Sequence, residues 1–282
     1  MPPSHTPVQY TTRIHDYPLH YTEAGSGEIL LLIHGSLCDY RYWRWQIPAL
    51  SQHYRVVAPS LRGFWPAALR SADDSFSIAQ HIRDMSAFAR RLGEGRPVHV
   101  LGHSRGAQIA LELACGAPQE VRSLILADPG FRIAGEAPGA PLHTTVAKLL
   151  ERGEVEPALA EFVDAVNGAG TWRQMVSWFK TMVTDNAYTL LSQIREINLD
   201  VDLDRARRLQ CPVLLVGGAH SPARYGSRLD RLEQAVGQAR RITIPAASHG
   251  MNLANPKAFN QGVLNFLAGL RADEARPPAG IP

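Results

Sequence analysis

Short apolar runs alternate with longer amphipathic stretches along most of the chain. Runs such as Ile29–Ile33 and Ser123–Ala127 are short and rich in branched residues, which is typical of strands buried on both faces of a sheet. Residues 77–92 instead repeat apolar side chains at helical spacing behind a capping serine. Strands that alternate with helices predict an α/β fold, a mostly parallel twisted sheet with helices on both sides.

The same pattern divides the chain into a core and an insertion. Residues 1–130 and 205–282 carry the strand-like runs, whereas residues 131–204 carry helical patterns with aromatic apolar faces. We predict an α/β core built from the first two segments and a helical subdomain inserted as residues 131–204. Residues 271–282 are rich in proline and charge, and we expect a disordered tail there.

A serine between two glycines lies at one predicted strand-to-helix transition. An apolar run precedes Gly102-His103-Ser104-Arg105-Gly106, and a helical pattern follows it. A serine at such a sharp turn takes strained backbone angles, and side chains at the two glycine positions would collide with the neighbouring strand or helix. The motif predicts a nucleophile, which requires an oxyanion donor, a histidine and an acid as partners.

Two other segments supply candidate partners. The strand Ile29–Ile33 ends in His34-Gly35-Ser36, and a later strand leads to His249 in the sequence Ser-His-Gly. Together with the serine motif, these segments make the chain resemble the α/β-hydrolase superfamily. Within that superfamily it resembles the serine hydrolases, which include esterases and lactonases. The resemblance covers residues 25–130 and 205–270, with the motifs in the family's order and at its usual distances.

The resemblance implies an α/β-hydrolase fold and a role for each motif. Ser104 would be the nucleophile and His249 the general base, while the backbone N–H groups of Ser36 and Arg105 would form the oxyanion hole. Residues 131–204 would form the helical cap over the nucleophile. We expect the Arg105 guanidinium to pair outward and not to touch substrate.

The acid departs from the family's common pattern. Relatives usually carry an aspartate after the seventh strand, where this chain has Ala219 and His220. Neither can accept the imidazole proton as a carboxylate would. Asp128 follows the sixth strand, Ser123–Ala127, a position that haloalkane dehalogenases and some other relatives use for their acid. We therefore predict Asp128 as the acid, although the residue could instead brace the turn that begins there.

Several residues are predicted to bind substrate. The aromatic insertion indicates an apolar, ring-bearing acyl or alcohol group, with Trp172 and Trp178 as contacts, although packing between helices also explains such residues. Asn186 is expected either to orient substrate or to cap a helix. Cys38 follows the Ser36 loop and is expected to line the pocket or to pack as a buried thiol.

Composition narrows the partners and the compartment. The 282 residues are 45% apolar and carry a formal charge of +3, but the arginines are scattered, so no nucleic-acid partner is expected. Three cysteines without metal-ligand spacing predict a reducing, cytoplasmic location. We expect neither a metal nor a cofactor. The sequence has no apolar run long enough to span a membrane, so no membrane association is expected. The expected partner is a small-molecule substrate, and a homodimer is left open.

The residues leave the bond that is cleaved undecided. We expect a serine hydrolase that cleaves an ester or lactone through an acyl-enzyme. A carbon–carbon bond hydrolase and a cofactor-free dioxygenase are alternatives on the same site. A ligand-binding protein on a hydrolase scaffold is the non-catalytic alternative, favoured by the displaced acid and disfavoured by the intact Ser104 and His249.

Overall fold

The computed structural model describes residues 8–136, 142–196 and 199–274. Its strands are β1 Val8–Ile14, β2 Tyr17–Ala24, β3 Ile29–Ile33, β4 Arg55–Pro59, β5 Val98–His103, β6 Val121–Ala127, β7 Arg132–Ile133, β8 Asp200–Val201, β9 Val213–Gly218 and β10 Arg240–Ile244. Eight of them form one sheet in the order β1-β2-β4-β3-β5-β6-β9-β10. The β1–β2 and β2–β4 pairs are antiparallel and the others are parallel. The predicted fold class is thus confirmed.

Helices cover both faces of this sheet. They are α1 Ile47–Leu50, α2 Ile78–Gly93, α3 Arg105–Gly116, α4 Leu142–Glu151, α5 Val155–Asn167, α6 Thr171–Gln174, α7 Ser177–Asp185, α8 Thr189–Gln193, α9 Leu203–Ala206, α10 Ala223–Val236, α11 Met251–Ala254 and α12 Pro256–Glu274. Ser77 caps α2, its hydroxyl accepting a hydrogen bond from the backbone N–H of Gln80.

Side chains of the central strands alternate between two apolar cores. In β3, Leu30 and Leu32 face one core, and Leu31 and Ile33 face the other, as the period of two in a strand requires. The first core continues into α4–α8 of the insertion. These helices therefore pack on the sheet through shared apolar surface, which fixes them over the strand ends where the serine motif lies.

Two details of the chain differ from the sequence expectations. The two ends of the insertion are joined by a small parallel sheet in which β7 pairs with β8, a contact that such short segments do not reveal. Residues 271–274, predicted as tail, continue α12, where Arg271 forms a 2.6 Å ion pair with Glu28; residues 275–282 lie outside the described residues.

Candidate active site

The turn at Ser104 has the geometry that the motif predicts. Ser104 joins β5 to α3 with φ 55° and ψ −119°, a strained combination for a residue with a side chain. A Cβ at Gly102 would lie 2.3 Å from the carbonyl oxygen of Gly106, and one at Gly106 would lie 2.2 Å from that of Ile33. Both glycines are therefore required for the strand, the turn and the helix to approach this closely.

Two more glycines bring backbone against the serine. A Cβ at Gly35 would lie 2.9 Å from Cβ of Ser104, and one at Gly130 would lie 2.8 Å from both the Ser104 Oγ and the Arg105 nitrogen. The loop that carries Ser36 thus meets the turn directly, as an oxyanion loop must. The sequence analysis missed Gly130, because its closeness to Ser104 arises only from the pairing of β5 with β6.

Asp128 reaches the histidine across the ends of neighbouring strands. Its backbone N–H donates to the carbonyl of Val216 at 2.9 Å, which ties it to β9. Its Oδ2 lies 3.4 Å from Nδ1 of His249, slightly beyond the 2.6–3.2 Å typical of a short hydrogen bond in a triad. The structure therefore brings the proposed acid and base together, with the carboxylate fully buried.

Ser221 also contacts this carboxylate, and sequence reasoning missed it. Its hydroxyl donates a short hydrogen bond to the same Oδ2 of Asp128. His220, at the family's usual acid position, is exposed, and its backbone N–H bonds the carbonyl of Ala247 at 2.8 Å. The only signal in the sequence was that Ser221 stands next to the position where an acid is expected.

Two rings and one hydrogen bond hold His249. Its imidazole stacks on Tyr225 at 4.2 Å and lies 4.7 Å from the ring of His103. The carbonyl of His249 accepts a 2.8 Å hydrogen bond from Nε2 of His103. Packing of this kind limits the imidazole to one orientation, which a proton-transfer group needs.

Burial shifts the pKa values of the pair in opposite directions. Loss of solvent lowers the pKa of His249 below its ordinary value, and the charges of Arg224 and Arg228 lower it further. Burial raises the pKa of Asp128 to about 6, while the hydrogen bond from Ser221 partly offsets the rise. At pH 7 the pair therefore consists of a neutral imidazole and an ionised carboxylate, the state that a general base requires.

Two cavities meet at the serine. The first, of about 490 Å³, is largely apolar and contains both Ser104 and His249. The second, of about 440 Å³, is more polar and contains Ser104 and Arg105. Ser36 lines both cavities. The nucleophile thus stands at the junction of two chambers of different chemistry.

Two of the four predicted substrate contacts line the first cavity. Cys38 is buried in its wall, where loss of solvent raises the thiol pKa well above its ordinary value. Trp178 lines the same wall, with the Arg44 guanidinium 4.5 Å from its ring centroid. The insertion therefore supplies an aromatic surface to the cavity, as its composition suggested.

The other two residues, Trp172 and Asn186, line neither cavity, and both agree with the structural alternative given for them. Trp172 packs inside the insertion, where its backbone N–H bonds Asp164. Asn186 ends α7 and is fully buried; its amide oxygen accepts from the backbone of Trp65 at 2.7 Å, and its amide nitrogen donates to Asp39 at 2.8 Å. Asn186 thus stands at a helix end, as the alternative expectation had it, and ties the insertion to the core.

The end of the insertion contacts both proposed oxyanion donors. Gln193 accepts a 2.6 Å hydrogen bond from the Ser36 hydroxyl, and Glu196 forms a 2.7 Å ion pair with Arg105. The expectation that Arg105 pairs outward is therefore wrong: its side chain is buried under the insertion. A guanidinium cannot lose its charge, so burial required a carboxylate partner, and Glu196 supplies it.

The described residues lack two kinds of feature. None of their helices combines the length and apolarity needed to cross a bilayer. Nor do those residues contain a group of three or more histidine, cysteine or acidic side chains arranged to hold a metal ion.

Comparison with known proteins gives the family. Residues 30–261 match the model of the alpha/beta hydrolase family, so the chain belongs to that family, and hydrolytic activity follows as its general class. The chain is 26% identical over 274 residues to 2-hydroxy-6-oxo-6-(2'-aminophenyl)hexa-2,4-dienoic acid hydrolase of Metapseudomonas resinovorans, covering 92% of this chain and 90% of that protein.

Two other proteins illustrate the range of the family. The pimeloyl-acyl-carrier-protein methyl ester esterase of Aeromonas hydrophila is 25% identical over 255 residues, covering 86% of this chain and 96% of its own. The crystal structure of the enol-lactonase from Burkholderia xenovorans LB400 superposes with a TM-score of 0.77 and 23% identity, over 92% of this chain and 100% of that one. The last likeness concerns the fold.

Proposed function

We propose that this protein is a serine hydrolase that cleaves an ester or lactone of an apolar small molecule through an acyl-enzyme. The observation that carries the proposal is that Ser104, on a strained turn, and His249 line one cavity, while the buried Asp128 contacts Nδ1 of that histidine. The apolar wall that contains Trp178 supports an apolar group on one side of the scissile bond.

The reaction follows from these positions. His249 accepts the Ser104 proton as the oxygen attacks the substrate carbonyl, and Asp128 stabilises the imidazolium that results. The backbone N–H groups of Ser36 and Arg105 donate to the oxyanion; each such donor contributes roughly 10²- to 10³-fold in rate. His249 then gives its proton to the leaving alkoxide. Water, activated by the same imidazole, releases the acid and restores the Ser104 hydroxyl.

Trapping the covalent intermediate tests the proposal. We expect rapid acid quenching during turnover of 4-nitrophenyl hexanoate to leave a hexanoyl group on the peptide that contains Ser104, detected by mass spectrometry. A Ser104→Ala sample, quenched in the same way, serves as the control for non-specific acylation. Turnover without any acylated peptide, together with an unreactive Ser104 in fluorophosphonate labelling, would contradict the acyl-enzyme and favour direct attack by water on the ester.

The pH profile should respond to Ser221. Activity requires ionised Asp128, so kcat/KM should fall as the pH drops through the raised pKa of the carboxyl, about 6. The Ser221 hydrogen bond favours the ionised form. Ser221→Ala should therefore raise that pKa further and move the acid limb of the profile to higher pH.

His220→Ala is the matched control, since it removes the exposed neighbouring side chain without touching the pair. Its profile should coincide with that of the wild type. An acid limb at the same pH in Ser221→Ala and the wild type would show that Asp128 does not govern this titration.

A further inference from the structure

The position of His249 assigns the two cavities to the two halves of the substrate. His249 lines the first cavity and is absent from the lining of the second. As the general acid, it must be close to the leaving oxygen. This inference rests on the proposed function and places the alcohol half in the first cavity, so the acyl half must extend from Ser104 into the second.

Four arginines line the second cavity. Its charged residues are Arg105, Arg132, Arg224, Arg228, Glu161 and Glu196. Three of the arginines have a carboxylate partner, in ion pairs with Glu196, Asp200 and Glu136. Counted with these partners, the guanidinium and carboxylate groups are equal in number, and Arg224 is the arginine of this lining that has no ion pair in the described residues.

One of these guanidinium groups retains unused donor capacity. Arg224 bonds neutral acceptors, namely the Ala165 carbonyl at 2.8 Å and the Tyr225 hydroxyl at 3.4 Å, and forms no ion pair with any acid in the described residues. The Arg105 side chain, in contrast, is paired with Glu196, and its Nε is buried from solvent. Guanidinium donors in a partly enclosed cavity favour a planar anion, because the planar fork matches a carboxylate.

We propose that the second cavity is an acyl subsite for a carboxylate, and that the substrate is an ester whose acyl part carries a second carboxyl group. Arg224 is the donor to that carboxylate. The apolar alcohol occupies the first cavity. The substrate class is therefore a monoester of a dicarboxylic acid with an apolar alcohol.

The electrostatics of the pair agree with this assignment. The positive charges of Arg224 and Arg228 lower the pKa of His249 in the empty site. A bound carboxylate offsets those charges, so the imidazole becomes more basic when such a substrate is present. A neutral acyl chain in the same cavity leaves the imidazole less able to take the Ser104 proton.

Two esters that differ at one end of the acyl chain test the subsite. Mono-4-nitrophenyl adipate and 4-nitrophenyl hexanoate have the same leaving group and chain length, and differ by a carboxylate in place of a methyl group. We expect kcat/KM to be at least about tenfold higher for the adipate, since hydrogen bonds to charged groups contribute roughly 1.5–3 kcal/mol. The preference should shrink as ionic strength rises.

Arg224→Gln should reduce the ratio of kcat/KM for the adipate to kcat/KM for the hexanoate about tenfold. That is the factor expected for the loss of one hydrogen bond to a charged group. Arg231→Gln is the matched control: Arg231 is also on α10 and also bonds one backbone carbonyl, that of Ala134 at 2.8 Å, but it lines neither cavity. The ratio should be unchanged in that variant.

The outcomes separate the subsite from the hydrolase proposal. Ser104-dependent hydrolysis of both esters without preference for the adipate, or with a preference that survives Arg224→Gln, would overturn the subsite alone. Absence of hydrolysis together with absence of covalent labelling at Ser104 would overturn the hydrolase proposal as well.

Discussion

Ser104→Ala is expected to abolish labelling by a fluorophosphonate probe and to lower the hydrolysis of a short 4-nitrophenyl ester at least about 10³-fold. The reason is that the alanine retains the turn and the oxyanion hole but has no oxygen to form the acyl bond. The residual rate measures what binding and the oxyanion hole supply. Labelling followed by gel fluorescence, and initial rates at saturating ester, check both parts.

Ser227→Ala provides the comparison for this experiment, since Ser227 is exposed on α10. It should label and turn over like the wild type. Undiminished labelling of Ser104→Ala would place the reactive residue elsewhere and remove the basis of the covalent mechanism.

Asp128→Asn is expected to lower kcat by up to about 10⁴-fold, the loss caused by the corresponding change in serine proteases. The amide has the size of the carboxylate, and the Ser221 hydroxyl can accept a hydrogen bond from its N–H₂ group, so the geometry should persist. An amide cannot stabilise the imidazolium, however, and its N–H₂ group facing Nδ1 favours the wrong tautomer of His249.

The residual activity of Asp128→Asn should have a shifted pH profile. Without the carboxyl, the acid limb reports His249 alone, whose pKa is lowered by burial and by Arg224 and Arg228. The limb should therefore move to lower pH than in the wild type. Asp204→Asn, a change of an exposed aspartate on α9, should alter neither kcat nor the profile. A wild-type kcat in Asp128→Asn would show that another group orients His249.

Local sequence patterns were sufficient to predict the strands, the helices and the nucleophile Ser104. The period of two in the strands and the helical stripe of 77–92 follow from which side chains can be buried together, so they are visible in the sequence. The requirement for glycine at positions 102 and 106 is also largely local. A side chain at Gly102 would collide with Gly106, and one at Gly106 would collide with Ile33 in β3, a strand that the sequence predicts. These features predicted the fold class, Ser104 and the loop around Ser36.

Contacts between distant segments could not be predicted in the same way. Ser221, Tyr225 and Gln193 were missed because each meets its partner only after strands or helices far apart in sequence are packed together. For Trp172 and Asn186 the sequence left two alternatives for a related reason: helical periodicity shows that a side chain is buried, but not whether it faces a cavity or a neighbouring helix. A position on the turn likewise did not reveal that Arg105 is buried.

The sequence by itself determined the α/β alternation, the strained serine turn and the presence of His249 and Asp128 at strand ends, because local sterics and the burial of apolar runs govern all of these. Only the tertiary structure decided that Asp128 and not residue 220 faces the imidazole, that Glu196 covers Arg105, and that two unlike cavities meet at Ser104. Those outcomes depend on the register of neighbouring strands and the docking of the insertion, which are set by long-range packing.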